Sequence, residues 1–473
     1  MSENADDLEQ TLMLAAAAAD SRQYEEEQRP GSVSPEPQLT SNASTDISYY
    51  NSTKDPEEVT NKANENTTDY ESSPVSKPSR TKKKLEDVKD EKPVRKHIKT
   101  DYDDSCSPHN NKLAETASDS SHAQVVATHY NLIEEKGLDE RSKSRIVHMR
   151  NFHNWIKSML INEYLTKIKD SKKQHNPPIR VHDMCCGKGG DLQKWKIGNI
   201  THLICSDIAE VSLEHCKQRY ADMKRRSQND RRGNIFSMEI VPGDAGKIRL
   251  REKYKDPSIK LDLVSCQFAF HYSFESLSQA ECMMKNASEC LLPGGFFIGT
   301  MPDSNEIIAR AKKSSITGSF GNAVLEVSLE FDVNKPPLFG GKYNFQLDGV
   351  VNCPEFLVHF PVFVKLAKKF GLKLVKKEKF MDFFERVKNE GRQLLTNMRA
   401  LESYPPNEGC TLVGDASGDY LHAEEFVQKE ARDSGKIGTL SKSEWEVSSL
   451  YLTFVFEKVK STWNADGTPC YDI

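Results

Sequence analysis

The sequence contains no run of about 18 apolar residues, so nothing in it reads as a membrane-spanning helix. Its longest early apolar stretch, Leu12 to Ala19, is mostly alanine with acids on either side and does not follow the layout of a secretory signal. Cysteine is sparse: 11 in 473 residues, with no Cys-x-x-Cys pair. That count excludes a disulfide framework, and reduced thiols in an intracellular protein are expected. Counting glycine and leaving out tyrosine, apolar residues make up about 39%, against the roughly 45–50% of ordinary globular chains. The chain is therefore too polar to be one compact body throughout. The net charge of −5 gives no overall attraction to an anionic partner.

The deficit is concentrated at one end. All 21 Phe and all 4 Trp lie beyond Asn151, starting at Phe152 and Trp155. Before that point the aromatics are Tyr24, Tyr49, Tyr50, Tyr70, Tyr102 and Tyr130. Residues 1–122 are rich in Ser, Asn, Asp, Glu, Lys, Thr and Pro. Such a segment cannot bury enough apolar surface to offset its ordering entropy, and a disordered tail is expected. It carries a basic cluster, Arg80-Thr81-Lys82-Lys83-Lys84, followed by Lys92-Pro93-Val94-Arg95-Lys96. These read either as a solvated charge run or as a nuclear localisation signal for an import receptor. Ser34-Pro35, Ser73-Pro74 and Ser107-Pro108 are candidate phosphorylation sites.

The remaining residues, 123–473, read as one domain with insertions. A helical stripe runs from Ile146 to Ile168 through Phe152, Trp155, Ile156, Met159 and Tyr164. Pro177-Pro178 stops it. Strand-length apolar runs follow at Ile179–Met184, His202–Ser206, Phe236–Val241, Leu261–Cys266 and Phe296–Met301. Amphipathic stretches lie between them at Asp191–Gly198, Val211–Met223 and Ser278–Leu291. Alternation of this kind implies βαβ units and a mostly parallel α/β sheet. Ser449–Phe456 closes the fold as a long strand, and Asp303–Val351 breaks the rhythm as a β-type insertion.

Three motifs carry chemistry. Val181–Asp191 (VHDMCCGKGGD) leaves a strand and opens a helix, with glycines that let the backbone turn sharply and approach a ligand. It is neither the Walker pattern nor a full GxGxxG. Asp207 ends the second strand about 20 residues after Gly187, where an acid can take a ribose diol; its other reading is a helix N-cap. Asp244 follows the third strand, where a carboxylate suits the exocyclic amine of adenine. After the fourth strand comes Cys266–Glu275 (CQFAFHYSFE), with four aromatics around a histidine at a strand end, where ligands of open α/β sheets bind and a base can stack. Together they point to an adenosine-bearing cofactor, NAD or S-adenosylmethionine.

With these segments in place, the sequence resembles the nuclear mRNA cap guanine-N7 methyltransferases of animals. The carrying segments are Arg150–Lys157 (RNFHNWIK), Asp183–Asp191, Cys266–Ser276, Pro293–Thr300 (PGGFFIGT), Pro354–Pro361 (PEFLVHFP) and Leu440–Glu446 (LSKSEWE). The resemblance implies the class I S-adenosylmethionine-dependent methyltransferase fold, a Rossmann-like sheet with one antiparallel strand near its edge. It implies methyl transfer from S-adenosylmethionine to N7 of the terminal guanosine of GpppN-capped RNA, in the nucleus.

Carried over by motif, Lys157, Cys185, Gly187, Asp207, Asp244, Gln267 and Tyr272 would line the cofactor pocket, with Lys157 pairing the methionine carboxylate. His153, Asn154, Lys188, Lys194, Arg219, His271, Glu355 and Tyr451 would hold the cap. Glu355 would accept guanine N1–H and N2–H₂, while Lys188, Lys194 and Arg219 would face the triphosphate. His271, Tyr272 and Glu355 would be catalytic by positioning the base. N7 already carries a lone pair and the sulfonium is an activated donor, so neither a general base, nor a nucleophilic cysteine, nor a metal is expected. A small activating protein subunit and the transcription machinery are the partners the resemblance implies.

Two residues depart from the family pattern. Cys185 stands where the Asp-x-Gly-x-Gly loop has its first glycine, and a Cβ there crowds the ligand or strains the backbone. His153 stands where Asn is usual. The alternatives are a class I methyltransferase with another substrate, a non-catalytic RNA-binding scaffold and, more distantly, an NAD oxidoreductase.

Overall fold

A computed structural model describes residues 122–132, 143–229, 235–430 and 435–461. The tail and its basic and Ser-Pro segments lie outside the described residues, all of which fall within one compact unit. Among them no helix is long and apolar enough to cross a membrane.

Seven strands form the central sheet: β1 (Arg180–Met184), β2 (His202–Asp207), β3 (Ser237–Pro242), β4 (Leu261–Gln267), β5 (Leu291–Pro302), β10 (Leu372–Lys379) and β13 (Tyr451–Lys458), while β11 (Glu402–Tyr404) and β12 (Ile437–Thr439) pair apart from it. They stand in the order β3-β2-β1-β4-β5-β13-β10. The first five are mutually parallel, whereas β13 runs antiparallel to both β5 and β10. This is the mostly parallel sheet expected from the alternating pattern, with its one reversed strand second from the edge.

Burial on both faces explains why the strands read as apolar runs. Leu203, Cys205, Ile298 and Val455 pack on one face beneath the long helix Val147–Lys172, through its Phe152, Trp155, Leu160 and Tyr164. Their sequence neighbours Ile204, Phe297, Phe454 and Phe456 pack on the other, against the helices Leu277–Ser288 and Phe360–Lys369. A methyl group on Gly299 would come within 2.2 Å of the Cys266 carbonyl oxygen and 2.4 Å of the Phe454 ring, so β4, β5 and β13 approach closely only because that position has no side chain. The last helix, Lys442–Ser448, starts on a reciprocal Ser441–Glu444 cap. Glu444 also accepts the Met149 amide at 3.0 Å, docking this helix on the long one.

The expected β-type insertion differs in two respects. Asp303 caps a helix, Ser304–Lys313, by accepting the Asn305 amide at 3.1 Å, and Ile307 and Ala311 supply its buried i, i+4 stripe. The antiparallel sheet that follows, β6 (Ser319–Gly321), β7 (Leu325–Leu329), β8 (Lys342–Leu347) and β9 (Val351–Phe356), runs five residues past Val351. Those extra residues include Glu355. The β5 strand begins at Leu291 rather than Phe296, and the helix His122–Leu132 starts where the tail was expected to end.

Candidate functional site

A cavity of about 500 Å³ opens at the carboxyl ends of β1, β2, β3 and β4, within the roughly 300–1,000 Å³ of small-ligand sites. A second depression, of about 520 Å³, lies at the amino ends of β1–β3 around Arg180, His202 and Ser237. Ligands of open α/β sheets bind at the carboxyl ends, so the first is the candidate site.

The turn after β1 builds its floor. Gly187 and Gly189 have φ of +52° and +72°, a backbone that L side chains rarely adopt. Methyl groups on Gly187 or Gly190 would meet nothing within 4 Å, so backbone there is open to a ligand. Cys185 shares this left-handed region, with φ of +59°; its side chain is carried at a backbone cost of about 1–2 kcal/mol.

Asp207 ties the turn to β2. Its Oδ2 accepts the Gly187 amide and its Oδ1 the Ala209 amide, both at 2.8 Å. The capping and ligand readings of this residue coexist, because each carboxylate oxygen keeps a further lone pair. Burial pushes its carboxyl up. Asp244 accepts the Gly246 amide at 2.9 Å. Gln267 is held between Ser265 Oγ at 3.0 Å and Thr300 Oγ1 at 3.1 Å. All seven expected cofactor residues (Lys157, Cys185, Gly187, Asp207, Asp244, Gln267 and Tyr272) line this one cavity.

Lys157 is already partnered. It pairs with both oxygens of Asp191 at 2.9 Å. Lys194 reaches the same carboxylate at 2.7 Å and donates to Asn154 Oδ1. Burial alone would raise the Asp191 carboxyl, but the two lysines hold it down to about 2. Lys194 and Asn154, expected at the cap, therefore sit in an internal polar network behind the glycine turn and do not line the cavity. Lys188 and Arg219 do line it.

The expected base site lies beside the cavity. His271 and Glu355 are 2% and 4% exposed and adjoin the lining residues Tyr272 and Phe356. Glu355 Oε2 accepts the Tyr343 hydroxyl at 2.8 Å. Its Oε1 is 3.4 Å from His271 Nε2, too far and too poorly aligned for a hydrogen bond, and both ring nitrogens of His271 are buried without a partner. The His271 ring packs on Tyr272 at 4.3 Å. His153 stacks on Phe268 at 5.7 Å, meets Tyr451 edge-on at 5.2 Å and hydrogen-bonds Ser448 Oγ at 3.0 Å. Burial lowers its imidazole to about 3, so this ring is neutral. His153 and Tyr451 thus meet the cavity through Phe268, which lines it.

The helix His122–Leu132 forms part of the cavity wall, a contribution the sequence reading missed. His122 Nδ1 lies 2.7 Å from Glu275 Oε1, and the Tyr130 hydroxyl is 3.4 Å from that of Tyr272. His122, Ala123, Val126 and Tyr130 all line the cavity. The signal was present: Tyr130 is the last aromatic before Asn151, four residues after the buried Val126.

Beneath the glycine turn, Cys186, Cys205 and Cys216 bring their sulfurs within 4.8 Å of one another; among the described residues this is the one grouping of three metal-capable side chains.

A family model for the mRNA (guanine-N(7))-methyltransferase domain matches residues 113–459. The chain is 51% identical over 359 residues to the mRNA cap guanine-N(7) methyltransferase of Drosophila melanogaster, covering 76% of this chain and 82% of that protein. It is 40% identical to the Caenorhabditis elegans protein of the same description, covering 71% and 87%. To that of Schizosaccharomyces pombe it is 34% identical, covering 63% and 80%.

Proposed function

The chain belongs to the mRNA (guanine-N(7))-methyltransferase family, and we propose that its carboxyl-end cavity and the adjoining His271–Glu355 pair seat the methyl donor and the cap guanine side by side. It is an S-adenosylmethionine-dependent mRNA cap guanine-N7 methyltransferase. The cavity suits that donor: open backbone at Gly187 and Gly190, and carboxylates at two successive strand ends. When bound, S-adenosylmethionine supplies a methyl group made electrophilic by its sulfonium.

The chain's own residues then have defined tasks. Asp207 accepts from ribose hydroxyls and Asp244 from the adenine amine. Gln267 is fixed by Ser265 and Thr300 and offers its amide edge to the cavity. Lys157, balanced by Asp191, presents positive charge to the amino-acid end of the donor. Lys188 and Arg219 bring cations to the triphosphate, a role the placement of Lys194 leaves to them. Glu355, with Oε2 committed to Tyr343, offers Oε1 to the N1–H and N2–H₂ of guanine. Tyr272 sets the tilt of His271, whose unpartnered nitrogens face a polar ligand edge. None of these groups removes a proton, because N7 attacks through an existing lone pair. Catalysis rests on alignment and field.

The buried, incompletely satisfied His271–Glu355 pair carries the guanine assignment. At 2% and 4% exposure the pair is shielded from solvent beside the cavity wall that Tyr130 and Tyr272 share. Incubation with labelled S-adenosylmethionine and GpppG-RNA, then nuclease digestion, tests the reading: m7GpppG is expected, and label on any other atom overturns it. Nuclear action, entry through an import receptor reading the basic segment, and a small activating subunit beside the transcription machinery belong to the same proposal. So does the division at residue 122. They rest on the family and on the tail sequence.

A further inference from the structure

The thiol cluster under the glycine turn has no task in methyl transfer. Its three members come from three elements: Cys186 from the turn after β1, Cys205 from β2 and Cys216 from the helix Glu210–Asn229. Cys205 and Cys216 are buried and Cys186 is half-buried; none is in a disulfide. Buried cysteines often serve as small apolar side chains. Convergence of three sulfurs on one point, each within 4.8 Å of the other two, goes beyond that.

We propose that Cys186, Cys205 and Cys216 form a three-coordinate site for one thiophilic closed-shell cation, Cu(I), and that filling it opposes binding of the methyl donor. Thiolate sets favour soft cations of this kind. Three sulfurs about 2.3 Å from a central ion stand roughly 4.0 Å apart, so the observed spacing needs to close by less than about 1 Å. Structural zinc takes four ligands; among the described residues no fourth Cys, His, Asp or Glu joins the set, which selects the three-coordinate ion. Arg219 lies near Cys216 and offsets part of the anionic charge.

The coupling is steric. A methyl group on Gly189 would come within 2.7 Å of Cys216 Sγ, so the turn rests directly on that sulfur. Cys186 itself lines the donor cavity. Drawing the sulfurs onto an ion moves the turn that Asp207 holds at Gly187. The coupling is reciprocal, so the donor weakens ion binding by the same factor. Only this coupling rests on the donor reading above; ion binding is read independently of it.

The test titrates the full chain anaerobically with Cu(I) held by a chromogenic chelator, with Zn(II) in a parallel arm. One equivalent of Cu(I) is expected to stay with the protein, to be lost in Cys205→Ala and Cys216→Ala, and to be kept in Cys282→Ala and Cys410→Ala. Calorimetry is expected to show the S-adenosylmethionine Kd rising about 10-fold or more on Cu(I) loading of the wild type, and not in Cys216→Ala. If the alanine variants melt early, X-ray absorption on the loaded wild type decides: three sulfur neighbours support the site, and nitrogen or oxygen neighbours overturn it. The proposal is also overturned by no retained Cu(I) in the wild type, by wild-type retention in Cys205→Ala or Cys216→Ala, by preferential retention of Zn(II), or by an unchanged donor Kd.

Discussion

Replacing Glu355 with Gln changes one charge and almost no volume, and it isolates the proposed guanine recognition. The wild-type carboxylate divides its work: Oε2 takes the Tyr343 hydroxyl at 2.8 Å, and Oε1, 3.4 Å from His271 Nε2, is the less committed oxygen. An amide in its place can still satisfy Tyr343 through its oxygen. The other edge then becomes a donor facing the two donors of guanine. The loss is one charge-assisted hydrogen bond, about 1.5–3 kcal/mol, so the KM for GpppG-RNA should rise roughly 10- to 150-fold. The S-adenosylmethionine Kd should not move, because the donor's expected contacts, from Lys157 on the long helix through the ends of β1–β4 to Tyr272, do not include Glu355. Tyr343→Phe should raise the cap KM less, since it frees Oε2 without removing the charge. Steady-state kinetics at saturating donor, paired with calorimetry, reads both quantities. An unchanged cap KM for Glu355→Gln would remove this residue from guanine recognition.

Three further outcomes follow from the geometry. Cys185→Gly relieves a left-handed backbone worth about 1–2 kcal/mol, partly offset by the greater chain entropy of glycine, so calorimetry should find donor affinity kept or improved; a large loss means the turn is built on that side chain. Gly189→Ala places a methyl 2.7 Å from Cys216 Sγ and 2.8 Å from Leu192 Cδ1 at φ of +72°, costing about 2–4 kcal/mol from overpacking and strain, whereas Gly187→Ala meets only the φ cost; equal melting temperatures would contradict this. Lys458 is buried, with Nζ donating to Ser288 Oγ and the Phe370 carbonyl, and burial lowers its ammonium to about 7. A base whose folded pKa lies below its unfolded one binds fewer protons when folded, so stability rises with pH between about 7 and 10.5. Relative to Lys458→Met, wild-type unfolding free energy should climb across that window by at most about 5 kcal/mol, and parallel pH profiles in denaturant melts would refute it.

The sheet and the candidate donor cavity were legible because both are written locally. Five apolar runs and the amphipathic stretches between them announce β1–β5 and their helices, and Asp207, Asp244 and Gln267 stand at or just beyond the carboxyl ends of β2, β3 and β4. Asp303 shows where local reading fails: Gly-rich and β-branched neighbours suggested strands, yet its cap and the Ile307/Ala311 stripe make a helix. Lys194 shows a different limit. Its sequence says only that a cation sits on a short helix, and three-dimensional proximity to Asp191 and Asn154 decides that it turns inward. The triad of Cys186, Cys205 and Cys216 depends on contacts between distant segments, which no spacing in the chain reveals. His153 was named for the cap, whereas its neutral ring packs among Phe268, Tyr451 and Phe380.

If the base beside the donor is a cap guanine chosen by the buried Glu355 carboxylate, methyl transfer discriminates between capped ends. Parallel turnover of GpppG-RNA, ApppG-RNA and uncapped RNA with labelled S-adenosylmethionine reads that discrimination. Label is expected on the guanosine cap alone, whereas equal labelling of all three RNAs would refute guanine recognition.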